Sequence, residues 1–309
     1  MSLSIFNSKS LKLSLLVAGG LFAFFGTGKL YLLQKIPPGL FPEQKSFWID
    51  KVQADEDFDI VIIGDSRIYR GVSSKPFTSS PPIRVLNFGF SSGGLTDPLL
   101  KSGCSKLNPA GLRTIILGVS PNSLTPTAGR NYHYKLCKTA PKRYFKLSSF
   151  WQLFFSRKGS SLAIKQLRGK IDSNQGYFQV PHSDGWVESR MIPPDLESGI
   201  NSYRELFAKE QVSAKIQERL FDRITQWSDS GINVFGFRPP TTKEMERLEN
   251  ECSGFLEADF VKKFNESGGT WIDISERFEY ESYDGSHLTG DSAIKLSSFL
   301  AERVSQTNQ

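Results

Sequence analysis

The chain has 309 residues, of which 39% are hydrophobic and 23% are charged, with a net charge of +6. This composition is that of a globular protein and excludes a chain that is disordered as a whole. The three cysteines, Cys104, Cys137 and Cys252, are too few and too scattered for a disulfide scaffold, and no residues have the spacing of metal ligands. We therefore expect one domain with an insertion, no bound metal and no cofactor.

The first predicted element is an apolar segment near the N-terminus. Residues 13–33 are apolar apart from four positions, and as a helix they match a bilayer core of about 30 Å. Because Lys9 and Lys12 precede this segment, a cleaved signal peptide is the alternative, although no A-x-A-like cleavage site follows it. We predict an uncleaved single-pass anchor with a short cytoplasmic tail within residues 1–36.

Proline and glycine at residues 37–39 follow the anchor, and proline ends a helix and favours an extended exit. Residues 37–57 are therefore predicted to be a linker and residues 58–309 the globular domain. Five β-branched and aromatic runs predict strands at residues 58–64, 83–88, 113–119, 232–237 and 270–274. Helical patterns lie between several of them, most clearly over residues 206–227, and a last one covers residues 289–304. Strands that alternate with helices predict an α/β fold, a parallel sheet flanked by helices in three layers.

The interval of residues 120–201 has weak strand signals and is predicted to be an insertion over the carboxyl edge of the sheet. Between Asp97 and Asp172 the chain has fourteen Lys and Arg residues and no Asp or Glu. Such a block attracts anions, and its aromatic residues suit an interfacial helix on anionic lipid or a groove for an anionic glycan. A solvated face with buried aromatic residues is the alternative. We recognise no nucleic-acid-binding motif, so no nucleic acid partner is expected.

Two short motifs carry residues suited to nucleophilic catalysis. The first predicted strand ends in Gly64-Asp65-Ser66, which places a serine hydroxyl at the carboxyl end of a buried strand. Near the other end of the chain, Asp284 and His287 are two residues apart on one predicted loop. A carboxylate there can orient the imidazole while its other nitrogen faces the serine. Each motif alone is also common in ordinary turns.

Together these motifs resemble the SGNH/GDSL hydrolase superfamily, over roughly residues 58–304. The resemblance implies an SGNH-type, flavodoxin-like fold with Ser66, Asp284 and His287 as the catalytic residues. It also implies an oxyanion hole made by the Ser66 amide and the amide of Gly93, with Ser92 as the alternative register. In the third motif of the family, G-x-N-D, the asparagine side chain is the remaining oxyanion donor, and the resemblance makes Asn122 the candidate for this role. The motif is altered here, because Asn122 lies two positions beyond the expected asparagine. In this respect the chain resembles a divergent, membrane-anchored branch of the superfamily, whose members act in acylation of cell-surface polymers.

Three arginines complete the candidate site. Arg67 and Arg70 follow the nucleophile and could bind an anionic substrate, although arginines in the first turn of a helix more often make ion pairs. Arg238 follows the fourth predicted strand and is the third candidate for binding substrate.

The resulting hypothesis is a membrane-anchored serine esterase or O-acyltransferase, on the extracytoplasmic side of a bacterial cytoplasmic membrane. Its substrate would be an acylated polysaccharide or a small ester, with membrane lipid and a membrane acyltransferase as partners. The alternative is an inactive SGNH-fold accessory subunit that holds a glycan or a partner enzyme.

Overall fold

The computed structural model of the protein describes residues 45–55, 57–77, 83–139 and 176–307. The predicted anchor at residues 1–36 lies outside the described residues, as do the eight basic residues of the insertion from Lys142 to Lys170. Within the described part of the chain, no helix combines the length and the apolar character needed to cross a bilayer.

Five parallel strands form the central sheet. In chain order they are β1 (Ile60–Gly64), β2 (Val85–Gly89), β3 (Thr114–Gly118), β6 (Asn233–Phe237) and β7 (Thr270–Trp271). Their order across the sheet is β2-β1-β3-β6-β7, which is the flavodoxin-like arrangement. β2 lies on one side of β1, and all later strands of the sheet lie on the other side, beginning with β3. All five predicted strands are present, each shorter than its sequence pattern. The carboxyl ends of β1 and β3 flank the crevice where doubly wound folds place their sites.

Helices cover both faces of the sheet, which gives the predicted three layers. On one face Val61 and Ile63 pack against α1 (Lys45–Gln53), α3 (Asp97–Cys104), α7 (Ala214–Asp229) and α9 (Glu257–Glu266). On the other face Ile60 and Ile62 pack against α2 (Ser66–Gly71) and α10 (Gly290–Thr307). The remaining elements are helices α4 (Pro126–Gly129), α5 (Tyr132–Thr139), α6 (Leu196–Phe207) and α8 (Lys243–Cys252) and strands β4 (Gly176–Pro181) and β5 (Val187–Ile192).

Helix α1 corrects the predicted linker. Its residues Trp48, Ile49 and Val52 are buried, and the Trp48 ring packs edge-on against Tyr69 at a centroid distance of 5.0 Å. Lys51 is also buried. Its ammonium group is satisfied there, because Nζ donates to the carbonyl oxygens of Gly89 and Gly185, each at 2.8 Å. The helix therefore belongs to the domain, which begins no later than residue 45.

The single helix predicted over residues 206–227 is two helices, α6 and α7. The chain leaves the helix between them because the amide of Val212 donates to the carbonyl of Ser253, and that of Ser213 to the carbonyl of Leu124. These long-range bonds satisfy the amides outside a helix, which a local pattern cannot predict. Helix α6 also begins earlier, at Leu196, where the Asp195 side chain accepts the amide of Ser198.

The described part of the predicted insertion contains α4, α5, an antiparallel hairpin of β4 and β5, and the start of α6. Residues 182–185 form the turn of this hairpin, where the Gly185 amide donates to the carbonyl oxygen of His182. The indole of Trp186 donates to the carbonyl oxygen of Arg70 at 2.8 Å, so the hairpin lies against α2. The insertion therefore borders the carboxyl end of β1.

Candidate active site

Ser66 lies at the carboxyl end of β1, as the first residue of α2. Asp65 caps this helix, because its Oδ1 accepts the amide of Arg67 at 2.9 Å. The other carboxylate oxygen of Asp65 accepts a hydrogen bond from the Ser120 hydroxyl at 2.5 Å, and both side chains are fully buried. Since Ser120 follows β3, this bond ties together the two strand ends that flank the crevice. The half-buried Ser66 side chain is thus presented from a fixed turn.

The loop before α10 brings the other two predicted residues to Ser66. His287 Nε2 lies 2.8 Å from Ser66 Oγ, and His287 Nδ1 lies 2.7 Å from Asp284 Oδ2. The loop is closed on itself, because Asp284 Oδ1 accepts the amides of Ser286 at 2.9 Å and of His287 at 2.7 Å. The three side chains form a continuous chain of contacts in which the imidazole can take a proton from the serine.

The charges around this chain of contacts favour an ionised carboxylate and a neutral imidazole. Burial raises the pKa of Asp284, but hydrogen bonds from the His287 side chain and from the two amides outweigh it, so that the pKa lies below its usual value. Burial lowers the pKa of His287, and the nearby Arg70 lowers it further, against the opposing effect of Asp284. A neutral imidazole is the form that can act as a base. Across the described residues, no group of three or more His, Cys, Asp or Glu side chains is arranged to hold a metal ion.

The predicted oxyanion donors differ in whether their amides are free to bind a substrate oxygen. The Gly93 amide already donates to the carbonyl oxygen of Phe90 at 3.0 Å, so it is not available to a substrate in this conformation. Ser92, the alternative register, is exposed and has a positive φ of 48°. Neither its amide nor that of Ser66 has an acceptor among the described residues. The structure therefore favours the Ser66 and Ser92 amides as the available donors.

Asn122 is not tied to these groups. It begins a short 3-10 turn, Asn122–Leu124, and its carbonyl accepts the amide and the hydroxyl of Thr125. No hydrogen bond joins its side chain to any described residue of the site. Ser120 occupies the position where the resemblance expects asparagine, and its hydroxyl is already donated to Asp65.

Arg67 and Arg238 are not available to a substrate, which corrects both predictions. Arg67 is 3% exposed; its Nη2 lies 2.7 Å from Glu249, and its Nε donates to the Ser286 hydroxyl at 3.0 Å. Arg238 is 4% exposed and bonds Glu249 at 2.9 Å and Glu257 at 2.6 Å. Both guanidinium groups are therefore neutralised inside the domain, where they connect α2 with α8 and α9.

Two further groups contact His287. The guanidinium Nη1 of Arg70 lies 3.1 Å from His287 Nδ1 and donates to the Tyr283 hydroxyl at 3.3 Å. The Tyr283 ring is stacked on the imidazole at a centroid distance of 6.0 Å and an angle of 17°. Sequence reasoning missed Tyr283 as part of the site. A signal for Arg70 was present, because residues four apart on a helix share a face and Arg70 is four residues after Ser66.

Gly93 still has a structural requirement that can be tested. A Cβ at this position would lie 2.5 Å from the Gly64 carbonyl oxygen and 3.0 Å from that of Phe90, and neither backbone atom can move easily. We expect Gly93→Ala to displace the neighbouring Ser92 and its amide. Because a misplaced catalytic group slows the reaction, kcat/KM should fall by about 100-fold. Gly71→Ala is the matched control, since its Cβ would meet only the Leu288 side chain, at 3.7 Å. Equal activity of the two variants would contradict this role for Gly93.

Comparison with known proteins gives little further guidance. No protein-family model matches the chain, and no curated protein matches it. Among solved structures, a protein from Streptococcus pneumonia, provisionally described as a platelet activating factor, superposes with a TM-score of 0.41 at 11% identity over 96% of this chain and 99% of its own. Est24, a carbohydrate acetylesterase from Sinorhizobium meliloti, has a TM-score of 0.37 at 12% identity over 81% of this chain and 100% of its own. Both scores are too low to assign residues or an activity to this chain.

Proposed function

We propose that the protein is a serine ester hydrolase or acyltransferase of the SGNH type. The observation that carries this proposal is the chain of contacts from Ser66 Oγ through His287 to Asp284, at 2.8 and 2.7 Å. It lies at the carboxyl end of β1, next to the crevice of the sheet. Contacts of this length between a hydroxyl, an imidazole and a carboxylate suit general-base activation of a nucleophile.

In this mechanism His287 Nε2 removes the proton from Ser66 as Oγ attacks the ester carbonyl. The amides of Ser66 and Ser92 stabilise the negative oxygen that forms, each such donor typically being worth about 100- to 1000-fold in rate. The imidazolium then protonates the leaving alcohol, which departs and leaves an acyl group on Ser66. A water or an acceptor hydroxyl, deprotonated by His287, then attacks this ester. The acyl group leaves on the attacking oxygen, and the imidazolium returns its proton to Ser66 Oγ.

The proposed substrates are acetyl esters of an extracytoplasmic polysaccharide or a small ester. This choice rests on the sequence resemblance and on the basic residues of the insertion, which suit an anionic polymer or lipid surface. The apolar residues 13–33 support a membrane anchor, with lipid and a membrane acyltransferase as partners. Ser120 at the expected asparagine position favours the second candidate, an inactive accessory subunit, because it removes one oxyanion donor.

Covalent labelling tests the proposal on the full chain. A fluorophosphonate probe is expected to attach to Ser66 of the detergent-solubilised protein, because only an activated serine reacts quickly with it. The Ser66→Ala variant is the control and should remain unlabelled. Before solubilisation, the labelled chain should stay with the membrane through alkaline carbonate extraction, whereas labelled protein in the soluble fraction would contradict the anchor. A folded chain that the probe does not label would favour the accessory subunit.

A further inference from the structure

Arg70 places a positive charge against the proposed base. It lies one helical turn after Ser66 and is half-buried, and its Nη1 is 3.1 Å from His287 Nδ1. Its side chain is surrounded by aromatic groups: Tyr283 accepts a hydrogen bond from it, and the Tyr177 ring centroid is 5.5 Å away. No carboxylate of the described chain forms an ion pair with Arg70. The other arginine of this helix, Arg67, is by contrast paired with Glu249.

The contact between Arg70 and His287 is not an ordinary hydrogen bond. For Nε2 to accept the proton of Ser66, Nδ1 must carry the ring hydrogen of the neutral imidazole, and it donates that hydrogen to Asp284. Arg70 then faces an N–H group, to which it cannot donate. What remains is the proximity of its charge, which hardly affects the neutral ring but repels a protonated one.

We propose that Arg70 is a positioning residue that holds His287 in its neutral, proton-accepting form, so that the site keeps a competent base in mildly acidic surroundings. The role in catalysis rests on the proposed function, whereas the effect of Arg70 on the imidazole does not. Electrostatics agree with the geometry, since Arg70 is the leading charged contributor that lowers the pKa of His287.

The other groups that face His287 do not replace this effect. Asp284 raises the pKa of the imidazole, so it acts in the opposite direction. Burial raises the pKa of Tyr283, which keeps its hydroxyl neutral. Ser66 carries no charge. Arg67 also lowers the pKa of His287, but Glu249 lies at 2.7 Å and offsets its charge.

The test follows the titration of His287 without requiring activity. Imidazole resonances are recorded by NMR in Ser66→Ala and in Ser66→Ala/Arg70→Met. The unbranched methionine side chain replaces the aliphatic stem of arginine but carries no charge. His133 and His182, the other histidines of the chain, are internal references. Removing the cation should raise the titration midpoint of His287 by at least about half a pH unit, because loss of a repelling charge favours the protonated form. A midpoint that does not move would overturn the proposal.

Kinetics with Ser66 intact provide the second measurement. The acidic limb of the kcat/KM profile should move to higher pH in Arg70→Met, while Arg70→Lys, which keeps the charge, should leave it close to that of the unmodified protein. Arg70→Gln replaces Arg70→Met if the latter does not fold. A purely structural role would lower activity in the charge-removing and charge-keeping variants without moving the limb, and would overturn the proposal. If the NMR midpoint moves but the unmodified protein has no esterase activity, the proposed function fails while the effect of Arg70 stands.

Discussion

Replacing Ser66 by alanine is expected to lower kcat/KM for p-nitrophenyl acetate by at least about 1000-fold, because the acyl group then has no nucleophile to receive it. His287→Ala should cause a similar loss, and the double variant should be no worse than either single change, since residues of one catalytic unit are not additive. Asp284→Ala is expected to be milder. The measurement is steady-state hydrolysis of the ester, with folding followed by circular dichroism.

Ser298→Ala provides a matched control for this series. Ser298 is exposed on α10, and its hydroxyl bonds only the Ile294 carbonyl of its own helix. Its removal should leave the rate unchanged. The assignment of the nucleophile would be wrong if Ser66→Ala kept more than a tenth of the activity of Ser298→Ala.

The second large effect is expected on stability. Glu249 is fully buried on α8, and its two carboxylate oxygens lie 2.7 Å from Arg67 and 2.9 Å from Arg238. Glu249→Ala would leave both guanidinium groups buried without this carboxylate. Breaking a buried ion pair in this way costs about 3–5 kcal/mol. Urea unfolding should therefore show a loss of this size in the free energy of unfolding.

Glu251→Ala is the control on the same helix. Glu251 is exposed and lies 4.0 Å from Arg247, which is also exposed. Such surface pairs contribute little, so the change should be within about 0.5 kcal/mol. Similar losses in the two variants would mean that Glu249 is not the charge that stabilises this part of the domain.

The sheet could be predicted because buried parallel strands are short apolar runs. Ile60 and Ile62 face one layer and Val61 and Ile63 the other, so the whole run is apolar and visible in the sequence. Ser66 could be proposed because the turn after such a strand opens at the carboxyl edge of the sheet. These features depend on local sequence, which a single chain reveals.

What could not be predicted depends on partners distant in sequence. Lys51 lies in a segment that reads as a linker, and its burial requires two carbonyl groups from other parts of the chain. Glu249 lies on an amphipathic helix, where a charged residue ordinarily faces water. The choice between Ser92 and Gly93 depends on one turn, in which the Phe90 carbonyl takes the Gly93 amide. A shift of one residue in such a turn leaves no mark in composition or periodicity.

The pairing of Arg67, Glu249 and Arg238 also restricts which substitutions these three positions can accept during evolution. Loss of Glu249 removes the carboxylate that both guanidinium groups share, and loss of either arginine leaves Glu249 with one buried partner instead of two. Each single step is therefore penalised even where the final combination would be tolerated. A combined replacement by apolar residues of similar volume is often neutral or stabilising when a buried ionic group is removed. Such a variant would still lack the bond from Arg67 to Ser286, next to His287. We therefore expect the three residues to be inherited or lost as a set. Their loss should leave a folded domain whose histidine loop keeps its contacts with Ser66 and Arg70 but has lost one bond to α2.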